Sequence, residues 1–258
     1  MAAHGRQTRP GEGGGLFDTT HWDDIRAAQG LDEATRARAL EVLTTRYWRP
    51  VYSFLRCKGH SHHQAQDLTQ GFFHEVILGR GLFVRADPCK GRFRTYLLTA
   101  LTRYAGAERR KDQAKKRMAR RADLPPESID LSTLPDPHSA GSPDRVFGQA
   151  WAADLLARAM ADVEAECRAD GRATHWAVFY ERVVKPILED VEPPALESLC
   201  SQFGIEGEKT ASNMVITVKR RFRATVRRLL GQTLGPGGDV DEELNDLIAI
   251  LVDHAGAA

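Results

Sequence analysis

The chain has 258 residues, 42% of them hydrophobic and 28% charged, and a formal net charge of +1. That length suits one large or two small domains, and no run of about 18 apolar residues is present to cross a membrane or, near the start, to act as a secretory signal. Four scattered cysteines (Cys57, Cys89, Cys167, Cys200) with no CxxC pair speak against a disulfide scaffold or zinc ribbon and point to a reduced, cytoplasmic protein.

Charge becomes informative once it is divided along the chain. Lys90 to Arg121 holds 12 Lys/Arg against 2 acids, and Gly207 to Leu230 holds 7 against 1. Between them, Ala122 to Glu197 carries 6 bases against 15 acids; after them, Gln232 to Ala258 carries 6 acids and no Lys or Arg. Two basic blocks, separated and followed by acidic ones, point to a polyanionic partner. Solvated helix faces are the plainer explanation of the same pattern.

Strand signals are nearly absent and helix periodicity is frequent, so the fold class is all-α. A disordered start is expected over residues 1–16, rich in glycine. Thr20 with Asp23, and Trp22 with Ile25, suggest a short capped helix. From Leu31 to Cys57 the residues Leu40, Leu43, Tyr47, Val51 and Phe54 recur at spacings of three and four. Pro50 inside that run should bend or split it. Ser61 and Gln64 have the form of a capping box. The helix they open places Leu68, Phe72, Phe73, Val76 and Ile77 inward and Asp67, Gln70 and His74 outward. A third helix starts near Arg92, with Phe93, Leu97, Leu101 and Tyr104 inward and an almost purely basic end.

An acidic, proline-rich linker is expected over 122–145. Helices resume at Val146 to Arg168 and Thr174 to Glu189, followed by a short helix at Ala195 to Gln202, a turn at Gly204 and a long helix from Lys209 to Leu230. The expectation is two helical domains, 17–121 and 146–231, the second ending in a helix-turn-helix, and then an acidic tail over 232–258. The tail's segment Val240 to Val252 has an apolar face that needs a partner. One expectation is that it packs on the second domain and restrains DNA binding through its acids; the other is that it merely completes that domain's core.

No catalytic fingerprint is present: no GxSxG, phosphate loop, HExxH or dinucleotide motif. The sequence therefore suggests no enzyme and no cofactor. Cys57, His60, His62 and His63 are of the residue types that bind zinc, but His62 and His63 are expected on different sides of a helix start and no second cluster completes the set. In the third helix Phe93, Tyr96 and Tyr104 interleave with Arg92, Arg94, Arg103, Arg109, Arg110 and Lys111. Aromatic faces that stack on unpaired bases beside cations that track phosphates make a single-strand surface. Phe93 and Tyr104 read as core residues, leaving Tyr96 as the stacking candidate. On the long C-terminal helix Val215, Val218, Phe222, Val226 and Leu229 face inward. Thr210, Ser212, Asn213, Thr217, Lys219 and Arg220 lie on or near the outer face, where small polar groups read base edges and cations hold phosphates.

Several stretches resemble a known family. Tyr47-Trp48-Arg49-Pro50-Val51-Tyr52, Gly59-His60-Ser61 and Ala65-Gln66-Asp67-Leu68-Thr69-Gln70 with Phe72-Phe73 resemble region two of extracytoplasmic-function (ECF) RNA polymerase sigma factors, most closely the planctomycete-type groups. Phe17-Asp18-Thr19-Thr20-His21-Trp22 resembles their N-terminal motif. Asp87-Pro88, Lys90-Gly91-Arg92-Phe93-Arg94 and Tyr96-Leu97 resemble the entry to their promoter-melting helix. The similarity runs from about Phe17 to Arg117 and resumes from Leu196 to Leu230. It implies that Asp67, Leu68 and Gln70 contact core RNA polymerase, and that Tyr96, Arg103, Arg109, Arg110 and Lys111 act on the minus-ten element. It also implies that Thr210, Ser212, Asn213, Thr217, Lys219, Arg220, Arg221 and Arg223 face the minus-thirty-five element. Core polymerase and promoter DNA are the implied partners, with an anti-sigma factor as a further one. The chain departs from the family at Gly71, where Glu is frequent, in the length between Gly204 and Arg221, and in its acidic tail. The alternative function is a helix-turn-helix regulator that binds duplex DNA without polymerase, which leaves the first basic helix unexplained.

Overall fold

A computed structural model describes residues 21–30, 32–120 and 142–255. The start expected to be disordered, most of the Phe17–Trp22 stretch and the linker up to residue 141 lie outside them. All regular structure among the described residues is helical, and none of these helices is long and apolar enough to cross a membrane. Helix α1 (His21–Gln29) is followed by α2 (Glu33–Cys57) and α3 (His62–Gly71), which runs into a π-helical stretch, Phe72–Gly79. After a 3-10 turn at Pro88–Lys90 come α4 (Phe93–Arg120) and α5 (Pro143–Ala169). Helix α6 (Ala173–Phe179) passes through a π-helical Tyr180–Val184 into α7 (Lys185–Glu189). The chain ends in α8 (Leu196–Phe203), α9 (Glu208–Gly231) and α10 (Val240–Ala255).

The helix starts are set by local chemistry. Asp32 accepts the Thr35 N–H at 2.9 Å, satisfying a backbone donor that the first turn leaves free. Both halves of the Ser61/Gln64 capping box form, at 3.3 and 3.1 Å. Ser142 accepts the Arg145 N–H at 3.3 Å, with Pro143 at the first helical position, where its missing N–H costs nothing. Of the two effects expected of Pro50, a bend or a split, the split does not occur: α2 is continuous from Glu33 to Cys57. The interior proline costs about 3 kcal/mol in an isolated helix. Here Tyr47, Val51, Phe54 and Leu55 around it are all buried in the core, and that burial outweighs it.

Two apolar clusters hold the molecule. The first gathers Ile25, Leu43, Val51, Phe72, Phe93 and Leu101 with Trp151 and Leu155 of α5, Leu230 of α9 and Leu247 of α10. Phe93 sits among rings, edge-on to Trp22 at 6.1 Å and to Tyr47 at 5.4 Å, and tilted against Phe83 at 5.4 Å. The second cluster packs Val163 and Cys167 of α5 with Trp176, Phe179, Leu199, Val215 and Val218. Helices α5 and α9 therefore each serve both clusters, and the partition of the core does not follow the boundary drawn at residue 145. Composition marks a linker, but only tertiary packing decides which core a helix joins.

The tail forms α10 and packs on α5 and α9, within the segment 146–231 where a partner was expected, but it also reaches beyond that segment. Leu247 is buried in the first cluster and Leu244, Ile250 and Leu251 pack against it. Its acids reach both halves of the chain: Asp241 pairs with Arg227 of α9, while Glu242, Glu243 and Asp246 pair with Arg92 and Arg94 at the start of α4.

Candidate nucleic-acid interface

The surface of α4 depends on the turn that precedes it. Leu82 and Phe83 are buried and pin residues 81–86 against the core, leaving Val84 and Arg85 exposed. Gln29 fastens the same turn by donating its Nε2–H to the Phe83 carbonyl at 2.8 Å. Gly91, at φ 116°, then takes a backbone conformation that L side chains rarely adopt and turns the chain into α4.

Between this turn, the π-helical stretch and α4 lies a cleft of about 280 Å³ lined by Arg80, Arg85, Tyr96, Arg103, Tyr104 and Lys111, among others. A neighbouring cleft of about 290 Å³ is lined by Lys90, Arg92, Arg85 and Tyr96, and by Trp22. Arg85 and Tyr96 border both, so the two make one surface. Tyr96, 36% exposed, is the aromatic group at the centre of it. Phe93 and Tyr104 are buried, as their spacing predicted.

The structure divides the predicted cations. Arg103 and Lys111 line the same cleft as Tyr96. Lys111 is held at 2.6 Å by Glu108, and that hydrogen bond raises its affinity for its proton. Arg109 lines a different cleft, with Lys58, His60, Gln64 and Asp112. Arg110 is exposed and lines neither cleft. Residues two apart on a helix point about 200° apart, so Arg109 and Lys111 face different clefts. Sequence reasoning missed Arg80 and Arg85, because only the folded turn brings them over α4.

On the second basic helix the inner residues lie where periodicity put them: Val215, Val218, Val226 and Leu229 are buried and Phe222 is half-buried. Helix α8 ends at Gly204, φ 64°, and a second positive-φ residue, Gly207, precedes α9. Thr210, Asn213, Lys219, Arg220 and Arg223 are exposed, while Ser212, Thr217 and Arg221 are half-buried. The Thr210 and Thr217 hydroxyls donate to the carbonyls of Glu206 and Asn213, at 2.9 and 2.8 Å, which leaves their oxygens able to accept. Arg221 differs from its neighbours: Asp170, at the end of α5, holds it at 2.6 Å and is itself kept below the ordinary carboxylate range by that hydrogen bond. Lys209, Asn213, Ile216, Arg220 and Arg223 follow one another at spacings of four and three, making one exposed stripe. Ile216 is 55% exposed in the middle of it; an apolar side chain by itself does not tell such a surface position from a core one.

On α3, Asp67 and Gln70 are exposed and Leu68 is packed against the first cluster. The His62 and His63 rings lie 5.4 Å apart, and Tyr52 Oη is 2.7 Å from His62 Nδ1. Among the described residues no group of three or more potential ligands gathers to hold a metal ion. No protein family, curated protein or solved structure matches this chain.

Proposed function

We propose that the chain is an RNA polymerase sigma factor of the ECF type, binding core polymerase and directing promoter recognition and opening. The observation that carries this reading is the α4 surface. An exposed tyrosine stands between two clefts flanked by Arg80, Arg85, Arg92 and Arg103, a form suited to an unstacked base and its backbone. The α9 stripe supplies the other half: read as the recognition helix of a helix-turn-helix, it offers Asn213 to base edges, Ile216 to a thymine methyl, and Arg220 and Arg223 to phosphates. The exposed pair Asp67 and Gln70 on α3 is the proposed contact with core polymerase.

A regulator acting on duplex DNA alone needs only α8 and α9 and leaves the Tyr96 clefts without a task. A gel shift on promoter DNA with and without purified core enzyme separates the two. A sigma factor shifts this duplex, whose bases are still paired, only with core present, and the exposed change Asp67→Ala weakens that shift. Tight binding by the chain alone, unaffected by core, favours the regulator.

A further inference from the structure

Glu243 of α10 is completely buried, and its partners lie about 150 residues away in sequence. Arg92 Nε stands 2.7 Å from one of its oxygens, and Arg94 pairs with the other. Asp246 also pairs with Arg92 and stands 3.7 Å from Arg94; Glu242 is 3.6 Å from Arg92. The Arg94 guanidinium is seated 4.3 Å from the ring centre of Trp151, which fixes it between α10 and α5. Beside this cluster, the turn between α9 and α10 rests on the loop before α4. A Cβ on Gly235 would fall 2.1 Å from the Pro88 carbonyl oxygen, so only glycine permits that approach.

The apolar residues of α10 pack it on α5 and α9. They do not require its carboxylates to converge on two arginines, and a buried carboxylate is tolerated only where cations compensate its lost hydration. The two arginines differ in access. Arg94 is 14% exposed, whereas Arg92 is 27% exposed and borders the same cleft as Lys90 and Tyr96. Two of the three carboxylates on Arg92 are at the rim: Glu242 is 70% and Asp246 44% exposed.

We propose that Arg92 is a guarded phosphate-binding residue: α10 holds it with carboxylates, and the backbone of a single nucleic-acid strand entering the Tyr96 cleft takes the place of Glu242 and Asp246. Glu243 and Arg94 remain as the anchor while the rim carboxylates exchange. The inference rests on reading the α4 surface as a nucleic-acid interface, and it names the residue at which access to that surface is regulated.

The test is fluorescence anisotropy of a labelled oligothymidylate strand with the full chain at low salt. Both rim substitutions are exposed and leave the apolar docking of α10 intact. Glu242→Gln with Asp246→Asn should tighten binding about three- to tenfold, with the gap narrowing as salt screens the charges. Adding Arg92→Ala to that pair should abolish the gain. An unchanged affinity in the double variant overturns the guard, as does a gain that survives Arg92→Ala, which would mark a general charge effect. The underlying reading fails in a distinguishable way: then neither the wild type nor the double variant binds the strand, and Arg103→Ala changes nothing.

Discussion

Gly71 stands at the end of α3 with the Tyr104 hydroxyl where its side chain would be: a Cβ there would lie 2.4 Å from that oxygen. Tyr104 is itself buried and packs against Phe72 at 5.6 Å between ring centres, so it has little room to retreat. Burial pushes its hydroxyl up to about 12, with Glu108 adding to the effect. Gly71→Ala should therefore destabilise the chain by about 1 kcal/mol through overpacking. In a Tyr104→Phe background the same change should stabilise it by about 0.5–1 kcal/mol, the ordinary helical preference of alanine over glycine. Urea titration of the four chains checks the reversal of sign. His60 gives a pH-dependent counterpart. Burial depresses its pKa below the ordinary 6.5, with Asp112 opposing and Arg109 reinforcing, and Lys58 lines the same cleft. The fold thus favours the neutral ring, and its contribution is complete above about pH 6.5 and lost as acid protonates the unfolded chain first. Between about pH 7.5 and about pH 5.5 the thermal midpoint should fall further for the wild type than for His60→Asn. At this scale the capping box was legible from two residue types at the right spacing. The glycine was not, because its reason lies 33 positions away in Tyr104.

Among the elements, α4 shows how far periodicity reaches. Spacing alone places Phe93, Leu97, Leu101 and Tyr104 inward, and all four are buried. The other wall of the cleft comes from Arg80 and Arg85, on a turn anchored by Phe83 and Gln29. No local pattern announces that the turn folds back over α4. Under the proposed function, Arg80→Ala combined with Arg103→Ala should impair promoter opening about tenfold or more, since two phosphate-class contacts are lost. Arg109→Ala, in the other cleft, should leave it within about twofold. Permanganate reactivity of promoter thymines in the presence of core enzyme reads both; equal defects would contradict the division of α4 into two faces. On α9, the inner face was equally legible, but the ion pair of Arg221 with Asp170 depends on where α5 ends.

For the whole molecule, the informative helices are α5 and α9, because each contributes to both apolar clusters. Trp151 and Leu155 of α5 belong with the N-terminal helices, Val163 and Cys167 with the C-terminal ones. Arg49 of α2 reaches Asp154 of α5 at 3.1 Å, and burial holds that carboxyl above its usual range in spite of the arginine. Cores joined in this way should unfold together: far-ultraviolet circular dichroism and tryptophan fluorescence should report one coincident transition. Trp151→Ala should lower stability by about 3–5 kcal/mol and shift both signals equally. Two separated transitions would mean that the halves fold independently. The all-helical class, the element order and the two basic surfaces could be read from periodicity and charge, which are local properties. The shared core and the grip of α10 on Arg92 and Arg94 could not, because they join residues that composition had assigned to separate blocks.

Promoter-directed initiation is the function proposed for the molecule as a whole, and run-off transcription with purified core RNA polymerase measures it. With the chain added, core enzyme should produce transcripts of defined length from a promoter carrying matched upstream and melting elements. The yield should fall steeply when Tyr96, Arg80 and Arg103 are replaced by Ala. Core enzyme that initiates no better with the chain than without it, across promoters drawn from the source genome, would contradict the assignment.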